Sequence, residues 1–196
     1  MNSFVIASQV LLWVGFTVLA ILVAALARQV GVLHERIAPA GALTLHQTLK
    51  PGDKAPDLEL ATLGGREITI GGARLERSQL IFFLSPDCPL CKSMLPVLKS
   101  AAKVERSWID IVLASDGDTA EHRRLMMAEG LEGFDYVLSE PLGRALGVSK
   151  LPYAVLIGEN GLIASMGLVN NREHLESLFE AKERGVTSIQ DFMASR

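Results

Sequence analysis

Leu80-Ile-Phe-Phe-Leu84-Ser-Pro-Asp-Cys88-Pro-Leu-Cys91 is the stretch on which the reading of this chain turns. Five consecutive apolar residues, with no polar alternation, predict a strand covered on both faces. Ser85-Pro86-Asp87 stops it, and from Cys88 to about Arg106 the pattern is helical. Both cysteines of the chain therefore fall at the first turn of a helix that springs from the end of a buried strand. A thiol placed there faces unpaired backbone N–H groups and the positive end of the helix dipole, and both favour the thiolate. A thiol of ordinary pKa, about 8.5, is only a few per cent ionised at pH 7, and a fall to about 7 raises the thiolate more than tenfold. Two intervening residues let the second sulfur close a disulfide within one helical turn. Pro89 fits the first turn, where its missing N–H loses no helical bond. Cys88 reads as the exposed attacking thiol and Cys91 as the buried resolving thiol. Asp87 opposes ionisation of Cys88, and Lys92 favours it.

A Cys-x-x-Cys pair can also be half of a zinc site, which needs two further ligands. His34, His46, His122 and His174 are scattered and none is paired at ligand spacing, so no metal is expected. The pair could also be inert core residues or a static disulfide, a lesser reading that stays open beside the redox one.

Outward from the motif the chain alternates between strand and helix signals. Before it, Pro51 to Pro56 is turn chemistry, and Asp57-Leu-Glu-Leu60 alternates as an edge strand does. Leu63-Gly-Gly65 then turns the chain into Glu67-Ile-Thr-Ile70, a hairpin partner. After it, Ile109 to Ala114 is the next buried strand, and Asp118-Thr119 caps a helix ending at Gly130, with Arg123 and Arg124 on its outer face. Tyr136-Val-Leu138 is a short strand and Leu142 to Gly147 a short helix. Ala154-Val-Leu-Ile157 and Leu162 to Met166 flank Glu159-Asn-Gly161, a strong hairpin signal. Asn171 opens a last helix in which Leu175, Leu178 and Phe179 share a face. Helices alternating with strands, closed by a hairpin, predict an α/β sandwich around a mixed sheet.

The opposite end of the chain is a different material. No ionisable side chain occurs between Met1 and Ala27, and residues 4–27 are long enough to cross a bilayer core, which takes about 20 residues. A cleaved signal peptide is the rival reading, since Ala25-Leu26-Ala27 resembles a cleavage site. Against it, no basic residue precedes the apolar run, and the run exceeds the roughly 7–15 residues of a signal's apolar region. A retained single-pass anchor is expected. Residues 1–27 are thus read as the anchor, 28–50 as a juxtamembrane linker, 51–184 as the folded domain and 185–196 as a short amphipathic tail. Arg28 and Arg36, taken alone, would hold the domain in the cytoplasm.

Composition narrows the function classes. The chain has 196 residues, a net charge of −3 and two cysteines. That is one domain plus an appendage, with no disulfide framework and no basic field for nucleic acid. Residues 1–50 carry a net charge of +2 and residues 51–196 a net of −5.

A strand, Cys88-Pro89-Leu90-Cys91, a helix with Pro96 five residues further on, and a later Leu151-Pro152 before an apolar strand together resemble the thioredoxin fold. Gly52-x-x-Ala55-Pro56-x-Leu58-x-Leu60, the Leu63-Gly64 turn and Gly143-x-Ala145-x-Gly147-Val148 resemble its membrane-tethered, extracytoplasmic branch related to peroxiredoxins. With the anchor included, the chain is similar to the accessory proteins of methylamine utilisation. The expected fold class is therefore α/β and thioredoxin-like, a mixed central sheet flanked by helices, with an N-terminal transmembrane helix. The resemblance implies that Pro152 is cis and lies against the active-site disulfide, so that Cys88, Cys91 and Pro152 form the catalytic set. It implies that Leu151 offers its backbone to a substrate peptide, with Pro89, Leu90 and Tyr153 as further substrate-binding residues. It also implies a protein client, the small subunit of methylamine dehydrogenase, a membrane redox partner, no cofactor, and a domain facing the periplasm from the inner membrane.

The sequence departs from the resemblance in three places. The tryptophan that commonly precedes the motif is replaced by Pro86-Asp87. The buried acid that many thioredoxins place six residues before the first cysteine is Phe82. Ser85 lies three residues before Cys88 as in a peroxidatic site, but Ile81 stands where that motif has proline, so peroxidase activity is not expected. Two functions follow from these residues: thiol–disulfide exchange on a protein, or a chaperone-like docking module that keeps the fold without redox turnover.

Overall fold

The computed structural model describes residues 2–36, 49–73 and 77–184, with backbone alone for 2–5 and 25–36. The chain divides into two units, Met1–Leu45 and His46–Arg196. The first is built on helix α1, Asn2–Arg36, which continues past Ala27. Its segment Ile6–Ala24 has a mean hydropathy of 2.3 and no buried residue. At about 1.5 Å per residue this segment approaches the roughly 30 Å of a bilayer core, so it is a candidate membrane span. Thr17 returns its hydroxyl to the Trp13 carbonyl at 2.8 Å, which removes one polar group from the helix surface.

The second unit opens with a hairpin of β1 (Leu58–Ala61) and β2 (Glu67–Ile70), antiparallel and separate from the main sheet. The main sheet has five strands in the order β5-β4-β3-β6-β7. These are β3 (Ser78–Phe83), β4 (Ile109–Ser115), β5 (Asp135–Leu138), β6 (Tyr153–Ile157) and β7 (Ile163–Leu168). The first three run parallel, joined through α2 (Pro89–Val104) and α3 (Thr119–Ala128). Strand β6 returns antiparallel to β3 after α4 (Glu140–Ala145), and β7 pairs antiparallel with β6. Helix α5 (Arg172–Glu183) closes the chain. This is the mixed sheet flanked by helices expected of a thioredoxin-like domain.

Alternation along β3 divides the core. Leu80, Phe82 and Leu84 pack with Leu95, Leu98 and Leu178 beneath α2 and α5. Ile81 and Phe83 pack with Ile70, Leu142, Leu146 and Val155 beneath the hairpin and α4. All six β3 residues are buried, the polar Ser78 and Gln79 together with the apolar run from Leu80, as befits a central strand covered on both faces. The predicted strand over 80–84 starts two residues earlier, because Ser78 and Gln79 continue the pairing with β4. Gln79 is buried and uses both ends of its amide, accepting from Gly71 N–H and donating to the Thr69 carbonyl, each at 3.0 Å. It thereby holds the hairpin to the sheet. Gly71 takes φ +82°, and a Cβ there would lie 2.1 Å from the Pro56 carbonyl oxygen, so only glycine fits.

Side-chain caps set the helix starts. Asp118 accepts from Ala120 N–H at 3.1 Å, Ser139 from Leu142 N–H at 3.2 Å, and Asn171 from His174 N–H at 2.8 Å. The cap at Ser139 places α4 two residues before the expected start at Leu142. Segment 50–63 reaches both edges of the sheet. Gly52 N–H donates to the Ile163 carbonyl of β7 at 2.8 Å, and Leu63 N–H donates to the Tyr136 carbonyl of β5 at 2.7 Å. Strand edges that would otherwise recruit another chain are partly covered in this way. Residues 37–48 of the expected linker over 28–50, and the tail over 185–196, lie outside the described residues.

Candidate active site

The site lies where the C-terminal end of β3 meets the N-terminus of α2. Leu84 is the last residue bonded to the sheet, its N–H donating to the Ala114 carbonyl at 3.0 Å. The chain then turns through Ser85-Pro86-Asp87, with Asp87 N–H donating to Ser85 Oγ at 3.3 Å and Cys88 N–H to the Ser85 carbonyl at 3.1 Å. Cys88 is the N-cap of α2, with φ −93° and ψ 107°, and Pro89 opens the first helical turn. The Cys88 Sγ accepts the Cys91 N–H at 3.1 Å. A sulfur thus takes the capping place that an oxygen usually holds, in the field of the helix N-terminus.

Cys88 and Cys91 are joined as a disulfide with their Cα atoms 5.2 Å apart, well inside the range such bonds span. They differ in access. Cys91 is 1% exposed and faces the core with Met94, Leu95 and Leu98, whereas Cys88 is half-buried. Pro89 is exposed, and Leu90 is 52% exposed. Among the described residues no group of three His, Cys, Asp or Glu side chains could hold a metal ion.

The register of the sheet brings the second half of the site to the same end. Phe83 pairs with Tyr153, so Leu151-Pro152 at the start of β6 lies beside the end of β3 from which the cysteine turn departs. The Leu151–Pro152 bond is cis and Pro152 is buried, its carbonyl accepting from Val169 N–H at 3.1 Å. Leu151 is 39% exposed. Among the described residues neither its N–H nor its carbonyl has a hydrogen-bond partner. Tyr153 is half-buried, and burial raises its phenol above the ordinary value. The structure therefore gathers Cys88, Cys91, Pro89, Leu90, Leu151, Pro152 and Tyr153 at one end of the sheet.

Two features went unnamed in the sequence. Leu168, exposed and paired with Tyr153, adds an apolar side chain at that end of the sheet. The run Ala164 to Leu168 carries no alternation sharp enough to single it out. Behind the turn, Ser115, His122 and Tyr136 form a buried polar group. His122 shares its helix face with Leu125, which marks it as inward-facing, but nothing local indicates what it meets there.

No family model matches the chain. Individual proteins do. It is 44% identical over 197 residues to the methylamine utilization protein MauD of Paracoccus denitrificans, covering 100% of this chain and 98% of that one. It is also 44% identical over 195 residues to MauD of Methylorubrum extorquens, covering 99% and 94%. Among solved structures, a thiol-disulfide oxidoreductase from Bacteroides fragilis matches with a TM-score of 0.56 at 20% identity, over 65% of this chain and 98% of that one. A peroxiredoxin-like protein from Aquifex aeolicus matches with a TM-score of 0.56 at 20% identity, over 69% and 87%. At such identities the solved structures establish the thioredoxin-like fold, while the relatives, matched nearly end to end, establish descent: the chain belongs to the family of the methylamine utilization protein MauD.

Proposed function

We propose that this protein is a membrane-tethered thiol–disulfide oxidoreductase of the methylamine-utilisation system, with Cys88 as the exchanging sulfur and Cys91 as the resolving one. One observation carries the reading: a disulfide capped on a helix N-terminus, with one sulfur accessible and the other sealed in the core. From the oxidised state, a client thiolate attacks Cys88 Sγ, breaks the Cys88–Cys91 bond and leaves Cys91 as the thiolate. A second client thiolate then attacks the client sulfur of the mixed disulfide. The client gains a disulfide, Cys88 leaves as a thiolate, and the pair departs with two electrons. Run backwards, the same steps reduce or reshuffle a client disulfide. The Cys91 N–H aimed at Cys88 Sγ stabilises the leaving thiolate in the first direction and the attacking one in the second.

The unpaired backbone of Leu151 offers one donor and one acceptor to an extended client segment, with Leu90, Tyr153 and Leu168 as an apolar rim around it. The client we assign is the small subunit of methylamine dehydrogenase, a disulfide-dense chain in which bonds must be formed or corrected during maturation. A dithiol site working on such a client belongs on the oxidising side of the membrane. We therefore place α1 in the inner membrane and the domain in the periplasm, against the weak pull of Arg28 and Arg36.

The purified protein should accelerate refolding of a scrambled-disulfide substrate or reduction of insulin. The Cys88→Ser, Cys91→Ser double variant should do neither. A Cys91→Ser variant should retain a mixed disulfide with its client in the host, identifiable by mass spectrometry. Equal activity of wild type and double variant would overturn the exchange reading. Full growth of the host on methylamine with the double variant would favour a docking role. Reporters fused at residue 196 and active on one side of the membrane only decide the topology.

A further inference from the structure

The C-terminal ends of β3 and β4 are joined by a buried polar group that the exchange chemistry does not touch. Ser115 Oγ donates to the Leu84 carbonyl at 2.7 Å. His122 Nε2 lies 2.8 Å from the Asp116 carbonyl, an acceptor only, so that nitrogen carries the proton and donates. In the neutral ring Nδ1 is then an acceptor, and the Tyr136 hydroxyl, 2.5 Å away, donates to it. Burial raises the phenol well above the ordinary tyrosine value, so it stays a neutral hydroxyl. Ser115, His122 and Tyr136 are all buried, and the two rings meet edge to face at 5.4 Å.

Leu84 is where the cysteine turn is attached to the rest of the domain. The bonds within the turn, from Asp87 and Cys88 back to Ser85, do not reach the sheet. Leu84 does, by its N–H to Ala114 and by its carbonyl to Ser115, so the end of β4 grips it on both sides. The surrounding face is otherwise apolar, and an apolar set of the same shape would pack there without needing partners. A fully satisfied polar network instead fixes one geometry. It is drawn from β4, β5 and α3, on a face where β3 itself contributes Phe82.

We propose that Ser115, Tyr136 and His122 are positioning residues for the disulfide exchange, Ser115 holding the Leu84 carbonyl and Tyr136 with His122 holding the adjoining Asp116 carbonyl, so that Cys88 is presented in its capping geometry. The inference rests on the exchange reading above. It is tested on the full chain in detergent, reduced, by the rate of Cys88 alkylation with iodoacetamide against pH and by the equilibrium of the Cys88–Cys91 pair with glutathione.

Ser115→Ala should slow alkylation at pH 7 and shift the glutathione equilibrium, each by about fivefold, through a thiolate less well held by the Cys91 N–H. Tyr136→Phe, which keeps the ring, should move both in the same direction by about two- to threefold, and Ser115→Thr should restore wild-type values. Folded Ser115→Ala and Tyr136→Phe variants with unchanged alkylation and glutathione equilibria would overturn the proposal, and a lowered unfolding midpoint alone would assign the group to stability only. Should Ser115→Ala fail to fold, Tyr136→Phe and Ser115→Thr decide by the same two readouts. A wild-type Cys88 that reacts like free cysteine would remove the exchange reading and this one with it, whereas an acidified wild type with silent variants removes this one alone.

Discussion

Helices α1 and α2 are both rich in apolar residues, yet they solve opposite problems. In α2 the buried residues Cys91, Met94, Leu95, Leu98 and Ala101 recur at helical spacing, while Lys92, Ser93 and Pro96 face water. In α1 every described side chain from Ile6 to Ala24 is exposed, Leu11, Trp13 and Phe16 among them. An apolar stripe finds its partner inside the chain, whereas a helix apolar on all sides suits a lipid solvent, which makes α1 a candidate membrane span. The start of α2 also carries the chemistry. Pro89 and Leu90 face outward at its start while Cys91 faces the core, so that the Cys88 sulfur can cap the helix and still be reached.

The same substitution should therefore fail differently in the two helices. Leu98→Asp would bury an unpaired carboxylate and should leave no folded domain, seen as loss of near-ultraviolet circular dichroism and of protease resistance. Val14→Asp should leave the domain folded and lower the carbonate-resistant membrane fraction, because a central acid opposes insertion by about 2.5–3.5 kcal/mol. A domain unfolded by Val14→Asp would break the distinction. Next in size, Leu98→Ala should destabilise the domain by about 2–5 kcal/mol in denaturant unfolding, against a change within about 0.5 kcal/mol for Leu12→Ala.

Smaller effects sharpen the account of the soluble unit. Asn171→Ala removes the oxygen that accepts His174 N–H and should cost about 1 kcal/mol in the same unfolding measurement. At acid pH the pair of Glu159 and Lys182 contributes in one direction only. The hydrogen bond from Lys182, then one from the backbone, holds the Glu159 carboxyl below its ordinary value. Its contribution is present above the unfolded carboxyl pKa of about 4.3 and is lost as pH falls through the lower folded value. Lys182→Met, which retains contact with the Trp108 ring, should flatten that part of the stability–pH curve slightly, since Glu159 is largely solvated.

The parts of this molecule that were legible in advance are those whose signal is local. The unbroken run Leu80 to Leu84, the breaker Ser85-Pro86 and the helical pattern from Cys88 place the two sulfurs at a helix start without reference to anything distant. The Asn160-Gly161 turn and the cap at Asn171 are equally self-contained. Boundaries shifted where a distant partner intervened, as when pairing with β4 drew Ser78 and Gln79 into β3. His122 gave no more sign than an inward-facing position on its helix, because its partners Tyr136 and Asp116 belong to other segments.

What the amino-acid order determined unaided, then, was the uniform apolarity of the N-terminal segment, the strand–turn–helix that carries the cysteines, and the alternation that builds a mixed sheet, since each depends on periodicity within one element. Tertiary structure alone decided which end of the sheet Leu151 and Pro152 share with the sulfurs, and that Ser115 grips Leu84. Those outcomes depend on strand order and register, which join residues far apart in the chain through backbone hydrogen bonds that no local pattern encodes.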